Sequence, residues 1–550
     1  MTEPLVTKRF WTLGKLTLLS SMVAGLAVLL TLGDPGITVD EPLDVRPGRT
    51  YVTTLLARGW GFFRPEVSDL VYRDNAEHPP LGRWLLGIAS TLGEPMEALV
   101  MGGPDPLGLY LHAARLAPAA AFALLVGIIV WTTGKRYGRS AGLSAGFAVL
   151  VMPRLFAHAH LGALDTFLSL FCTAALLSTE YALRQPRPVL PMLLAGVTWG
   201  LALLTKIHAW FLAPILFAWW LVCCRPKPIR AWLSWLAWGT TGFAVFVSGW
   251  PWLWHHSVER LRAYWGTGVE RTAIQVQYFD RVYADRDVPW HYPWFYFLVT
   301  VPIGLHLFGL IGGVAAWRDR RKDGFPGLLA GSILFFLILF STRIPVYDGE
   351  RLFLLVFPLW AILIGRGFAA GWAWCGSHRL RYIGLTLLLL AQGYGVVSTH
   401  PFGLSYYNAL VGGLAGAERL GLELTYWNDA VDRVLLDHLT RRAKPGATAA
   451  LAPTLYPGQG LASTTRAMAR GPLLLGDEEK ALSADWLIVS RRTAYWKPAL
   501  RKRLAEGKNV LLRTRNGVWL SGLWEFPHRP ESASGRTTDS PSLPETRASP

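Results

Sequence analysis

Residues 16–33, LTLLSSMVAGLAVLLTLG, run for eighteen positions without one ionisable side chain. A helix needs about 20 apolar residues to cross the hydrocarbon core of a bilayer. The run follows Lys8, Arg9 and Lys15, an arrangement that a secretory leader shares. The residues after it, TLGDPGITVDEP, offer no small-x-small cleavage site, so the sequence predicts a retained membrane helix.

The same kind of run recurs along the chain, for example WFLAPILFAWWLVCC at 210–224. Of 550 residues, 52% are hydrophobic and only 17% charged, with 26 Trp, which excludes an ordinary soluble multidomain protein. The fold class predicted is mainly α, a polytopic membrane protein. About eleven spans are placed near 16–33, 107–131, 140–156, 161–183, 189–205, 208–224, 231–253, 292–317, 325–341, 351–370 and 381–398.

The net charge of +17 does not point to nucleic acid, because of where the charge lies. Basic residues cluster in alternate short connections: the N-terminus, GKRYGR, RQPRP, RPKPIR, RDRRKDG and SHRLR. Such alternation predicts a cytoplasmic N-terminus, with the intervening connections facing outward. Cys172, Cys223, Cys224 and Cys375 fall in or beside apolar runs at no metal-ligand spacing, and imply no disulfide framework.

Two outward regions stand apart. Residues 34–106 form a long first loop whose apolar stretches, YVTTLLARGWGFF and LGRWLLGIAS, are too short to span and suit interfacial helices. Beyond 398 helix-like and strand-like segments alternate, so 399–526 read as a small extracytoplasmic α/β domain following a 1–398 membrane module. Residues 527–550, polar and Pro-rich, read as a disordered tail.

Chemistry is sought at the outer membrane edge. Asp40 and Glu41 follow the first span in GDPGITVDEP. Acids there are either simply solvated or placed as a general base where a lipid headgroup meets a polar acceptor. In NAEHPPLGRWLLG (75–87), Pro79 and Pro80 end what precedes them and start a new helix. Glu77 and His78 then lie at a helix N-terminus, where N–H groups and the dipole favour an anion such as phosphate, with Arg83 about one turn on. A rigid turn with solvated flanks is the alternative. Asp165 lies about one turn inside a span, a depth at which ionisable groups usually face a polar cavity or partner. His158 and His160 are candidates for a divalent metal alongside Asp40, Glu41 or Asp165, although two histidines make an incomplete site.

VDEP (39–42) followed by EHPPLGRWL (77–85) resembles the protein O-mannosyltransferase family and its bacterial relatives, including the aminoarabinose transferases of lipid A. LGALDTFLSLF (161–171), YDGERLFLLVFPLWAILIGRG (347–367) and HPFGLSYYNALVGGLAGAERLGLELTYWNDA (400–430) are similar to later segments of the family, so the resemblance covers roughly 10–430 in order. It implies a glycosyltransferase of GT-C architecture that takes a sugar from a polyprenyl-phosphate donor. The acceptor hydroxyl lies on the outer face of what is expected to be a bacterial inner membrane. By that resemblance Asp40, beside Glu41, is the base, and attack from the opposite side inverts the anomeric carbon.

His78, Arg83 and Arg351 are expected at the donor phosphate, where cations must meet the departing charge, and Glu77 and Asp165 at sugar or acceptor. Arg351 equally suits a snorkelling anchor. The aminoarabinose transferases carry lysine where this chain has His78, so a permanent cation at that position is not given. A transporter of lipid-linked sugars is the alternative class, and a membrane scaffold a third. The transporter lacks support from inverted repeats or broken mid-span helices.

Overall fold

The computed structural model describes residues 12–73, 78–103, 109–223, 229–267, 273–319, 323–376, 378–453, 473–474 and 482–527. Glu77, Cys224 and residues 528–550 lie outside the described residues. A helix overlaps each of the eleven intervals placed from the sequence. Among the described residues, four helices are long and apolar enough to cross a membrane: Leu111–Tyr137, Asp165–Leu183, Val356–Trp374 and Arg379–Thr399.

Tyr292–Thr300 and Ile303–Arg318 were expected as one straight span but are bent by 109°, and they make a fifth only if counted together. Pro302, at the break, has no N–H to continue the first helix and starts the second instead. Leu13–Leu29, Arg139–Val151, Val189–Leu203, Ile207–Cys223 and Phe325–Leu339 are apolar but shorter. Prolines at 153 and 326 help set these limits.

Four helices frame the site: α1 (Leu13–Leu29), α2 (Glu41–Arg58), α3 (Leu81–Met101) and α4 (Leu111–Tyr137). The first loop is built from α2 and α3, both longer than the apolar stretches that suggested them. They cross at two glycines. A Cβ on Gly48 would lie 2.1 Å from the Arg83 carbonyl oxygen, and one on Gly87 would lie 2.1 Å from that of Gly48. Backbone therefore meets backbone, and any side chain at either position forces the helices apart.

The later helix α5 (Asp165–Leu183) starts at the same end of the molecule as α2, and α6 (Val356–Trp374) follows a turn at 348–353. The C-terminal region carries one five-stranded sheet, in the order β4–β3–β5–β7–β6. Its strands are β3 (Thr448–Ala452), β4 (Leu473–Leu474), β5 (Trp486–Ser490), β6 (Lys508–Arg515) and β7 (Val518–Glu525); a separate hairpin, β1 (Gln275–Tyr278) with β2 (Arg281–Ala284), lies in the 254–291 connection. β3 runs parallel to β4 and β5, and β7 antiparallel to β5 and β6.

All five residues of β5 are buried, as a strand covered on both faces requires. Leu435 and Leu439 of helix Arg433–Arg442 pack with Leu451 and Ile488. Leu500 of helix Pro498–Glu506 packs with Leu487 and Val489 in a second cluster.

This sheet region is tied back to the first loop. Gly36 N–H donates to the Asp429 carbonyl (2.7 Å) and Val39 N–H to that of Trp427 (3.2 Å). Residues 36–39 are thus fixed by backbone bonds immediately before Asp40.

Candidate active site

Asp40 occupies the N-cap position of α2, where an aspartate ordinarily accepts an N–H from the first turn. Pro42 stands in that first turn without an N–H, and the Asp40 side chain makes no capping bond. Its carboxylate turns instead to the Arg351 guanidinium, and at 25% side-chain exposure it is the most open acid of the cluster around that arginine.

Arg351 gathers three acids. Besides Asp40, its Nε donates to Asp165 Oδ2 at 3.4 Å and its Nη1 to Asp348 Oδ2 at 3.0 Å. The guanidinium also lies over the Trp427 ring, 4.0 Å from its centre, a favourable cation–π arrangement. Burial opposes the charge on Arg351, but Asp40, Asp165 and Asp348 outweigh it and raise its pKa well above the ordinary value.

Asp165 opens α5, where the helix dipole favours an anion. Its other oxygen accepts from Lys206 Nζ at 2.6 Å, and both side chains are almost fully buried. Lys206, in the TKIHAW turn, was not singled out from the sequence. A lysine in a connection expected to face outward, between two apolar runs, departs from the positive-inside pattern, and that departure was the available signal.

His78 faces this cluster as a neutral imidazole. Burial, reinforced by Lys206, Arg83 and Arg351, holds its pKa well below the ordinary value. The helix N-terminus behind it is partly engaged by protein, because Leu81 N–H donates to the Leu204 carbonyl at 3.0 Å.

Two expected participants are turned to other work. Glu41 is fully buried, with Arg115 Nε at 2.7 Å and Nη2 at 2.9 Å, and with N–H donors from Gly162 (2.7 Å) and Thr38 (2.8 Å). Burial alone would raise its pKa, yet Arg115 and these N–H groups prevail and lower it. Arg115 also donates to the carbonyls of Leu32, Pro35 and Gly36. Glu41, expected to share the chemistry with Asp40, thus has a carboxylate whose oxygens are all engaged by the loop and Arg115. Arg83, expected at the phosphate, is wholly buried and donates to Asp44 Oδ1 at 3.0 Å and to the His78 carbonyl at 3.4 Å. It locks α3 onto α2. Burial raises the Asp44 carboxyl to about 6, against the pull of Arg83.

The two histidines considered for metal diverge. His158 Nε2 meets the Tyr426 hydroxyl at 3.4 Å, while His160 bonds Thr31 Oγ1 and the Phe156 carbonyl, each at 2.8 Å. Burial pushes the His158 pKa down to about 3. Among the described residues no group of three or more His, Cys, Asp or Glu side chains converges as a metal site.

With this geometry in place, the chain can be set beside known proteins. Residues 107–252 match the family model described as dolichyl-phosphate-mannose-protein mannosyltransferase. That stretch holds Asp165 and Lys206 but not Asp40, His78 or Arg351. The structure of ArnT from Cupriavidus metallidurans in the apo state aligns over 92% of this chain and 97% of its own, with 14% identity and a TM-score of 0.53.

The chain shares its fold with ArnT. The architecture is therefore like that of ArnT, and over 107–252 the chain is also similar to the mannosyltransferase family model, a stretch that does not include the loop motifs. ArnT bound to undecaprenyl phosphate aligns over 92% of this chain and 97% of its own, at 15% identity and a TM-score of 0.48. The Archaeoglobus fulgidus oligosaccharyltransferase in the apo form aligns over 94% and 74%, at 11% identity and a TM-score of 0.45. No curated protein sequence matches the chain.

Proposed function

We propose that this protein is an inverting glycosyltransferase that moves a sugar from a polyprenyl-phosphate donor to an acceptor hydroxyl on the outer face of the membrane. The observation that carries the reading is the pairing of the half-open Asp40 with Arg351, inside a buried cluster that also holds Asp165 and Lys206. The match to the mannosyltransferase family model over 107–252 supports it.

Asp40 takes the acceptor proton as the hydroxyl oxygen attacks the anomeric carbon. The bond to the lipid phosphate breaks on the opposite side, and negative charge passes to the phosphate oxygens. Arg351 and Lys206 are the cations that meet this charge, and a water-poor site makes them count for more than they would in solvent. Both are paired with carboxylates, so the donor phosphate competes with Asp165 for Lys206 and Arg351. Neutral His78 contributes a hydrogen bond rather than a charge. Glu41 with Arg115, and Arg83 with Asp44, hold the loop that presents Asp40.

In this reading residues 1–398 form the membrane module, with a cytoplasmic N-terminus in a bacterial inner membrane. Residues 399–526 form an extracytoplasmic domain over the site.

The test uses full-length protein in detergent with a panel of radiolabelled polyprenyl-phosphate sugars and a mixture of protein, lipid and glycan acceptors, following release of lipid phosphate. Release that is lost in Asp40→Asn, with donor binding kept, supports the transferase. Donor binding without release, unchanged by Asp40→Asn, points to a carrier of lipid-linked sugar instead.

A further inference from the structure

The turn that carries Arg351 is held from outside the membrane helices. Asp348 and Gly349 both adopt left-handed backbone, at φ 57° and 65°. Asp348 is thereby turned so that its two oxygens face two different arginines. Oδ2 accepts from Arg351 Nη1 at 3.0 Å and Oδ1 from Arg492 Nη2 at 2.8 Å.

Arg492 comes from the C-terminal sheet region, two residues beyond the end of β5. It is buried, with 5% of its side chain exposed, and it also donates to the Tyr426 carbonyl and faces Glu423 Oε1 at 3.5 Å. The residue after Tyr426 is Trp427, whose ring lies against the Arg351 guanidinium. One arginine of the C-terminal region thus grips both supports of Arg351: the carboxylate on one side and the backbone of the aromatic plate on the other.

A negative Asp348 without Arg492 would face Arg351 alone and draw it away from Asp40 and Asp165. A buried acid that loses one of two cationic partners leans harder on the other.

We propose that Arg492 is a positioning residue for the transfer reaction: by neutralising Asp348 and fixing Tyr426, it sets where the Arg351 guanidinium stands relative to Asp40. The inference rests on the functional reading above and adds to it a specific task for the C-terminal region, which completes the site rather than only covering it.

The experiment compares wild type, Arg492→Met and Arg492→Lys as full-length protein. Its two readouts are donor kinetics and hydrogen–deuterium exchange of the 346–354 segment. Arg492→Met is expected to lower kcat roughly 100-fold, the cost of a misplacement of about 1 Å, with a much smaller change in donor KM. Exchange should rise at 346–354, and Arg492→Lys should recover part of kcat by restoring the charge.

Unchanged kcat, or exchange confined to 423–427 and 486–496, overturns the proposal and leaves Arg492 as a domain staple. If Arg492→Met does not fold, Arg492→Lys carries the same comparison, with an intermediate loss expected. Wild type that releases no lipid phosphate from any donor sinks the functional reading. Exchange at 346–354 then decides by itself whether Arg492 holds the Arg351 turn.

Discussion

Lys206 Nζ, in the turn after helix Val189–Leu203, lies 2.6 Å from Asp165 Oδ1 at the start of α5, and both side chains are buried. A buried charge pair is stable only while both partners are present, because removing one leaves the other desolvated and uncompensated. Lys206→Met should therefore affect both the fold and the reaction, whereas Lys206→Arg keeps the charge. The expected outcome is a loss of about 100- to 1,000-fold in kcat for Lys206→Met, as for removal of one group that meets transition-state charge. Steady-state release of lipid phosphate measures it, and a change in donor KM alone would contradict the assignment.

Asp40→Asn should separate chemistry from folding. Asp40 is partly exposed and makes no capping bond, so its amide should cost little in Tm while transfer falls to background. A variant that keeps substantial turnover would require another base.

Glu41→Gln should behave in the opposite way. It leaves Arg115 buried with no full counter-charge, at a cost of about 3–5 kcal/mol. A lower Tm in detergent and poor yield are expected, with residual specific activity in whatever folds. Normal stability would show that the brace is dispensable.

Asp429 gives a test in pH. Its carboxyl is buried, accepts from Thr425 Oγ1 at 3.1 Å, and burial raises its pKa from 3.8 to about 6. The folded state thus binds this proton more tightly than the unfolded chain. The stability that the group contributes is complete below pH about 3.8 and is lost as pH rises through about 6. Asp429→Asn should be more stable than wild type at pH 8, by at most about 3 kcal/mol, and the gain should shrink toward pH 5. Paired thermal melts at the two pH values check the sign.

Much of the architecture was legible because membrane helices and sheet strands announce themselves locally. The LTLLSSMVAGLAVLLTLG run and the prolines before Leu81 each marked a helix, although Leu13–Leu29 is shorter than the span expected, and the alternation beyond 398 marked a sheet region. The bend at Pro302 was also written in the sequence, but it reads as a kink or as a break with equal ease. The site was less legible, because its logic lies between distant segments.

Asp40 and Glu41 are neighbours with the same chemistry, and only the three-dimensional position of Arg115 tells that one is saturated while the other faces Arg351. Arg83 looked available as a cation because nothing nearby in sequence reveals Asp44 as its partner. Lys206 and Arg492 were passed over for the same reason. One sits in a short turn and the other in a sheet region, and neither neighbourhood resembles a binding motif.

The bonds from Gly36 and Val39 to the carbonyls of Asp429 and Trp427 also impose an order on biosynthesis. A ribosome that has just finished the last apolar helix has made every membrane segment, and yet the loop bearing Asp40 still lacks the backbone that closes it. The beginning of the protein waits, in place and incomplete, for a part made after everything else has been inserted. Until residues 427–429 have been made, Gly36 and Val39 lack the carbonyls that fix the segment before Asp40.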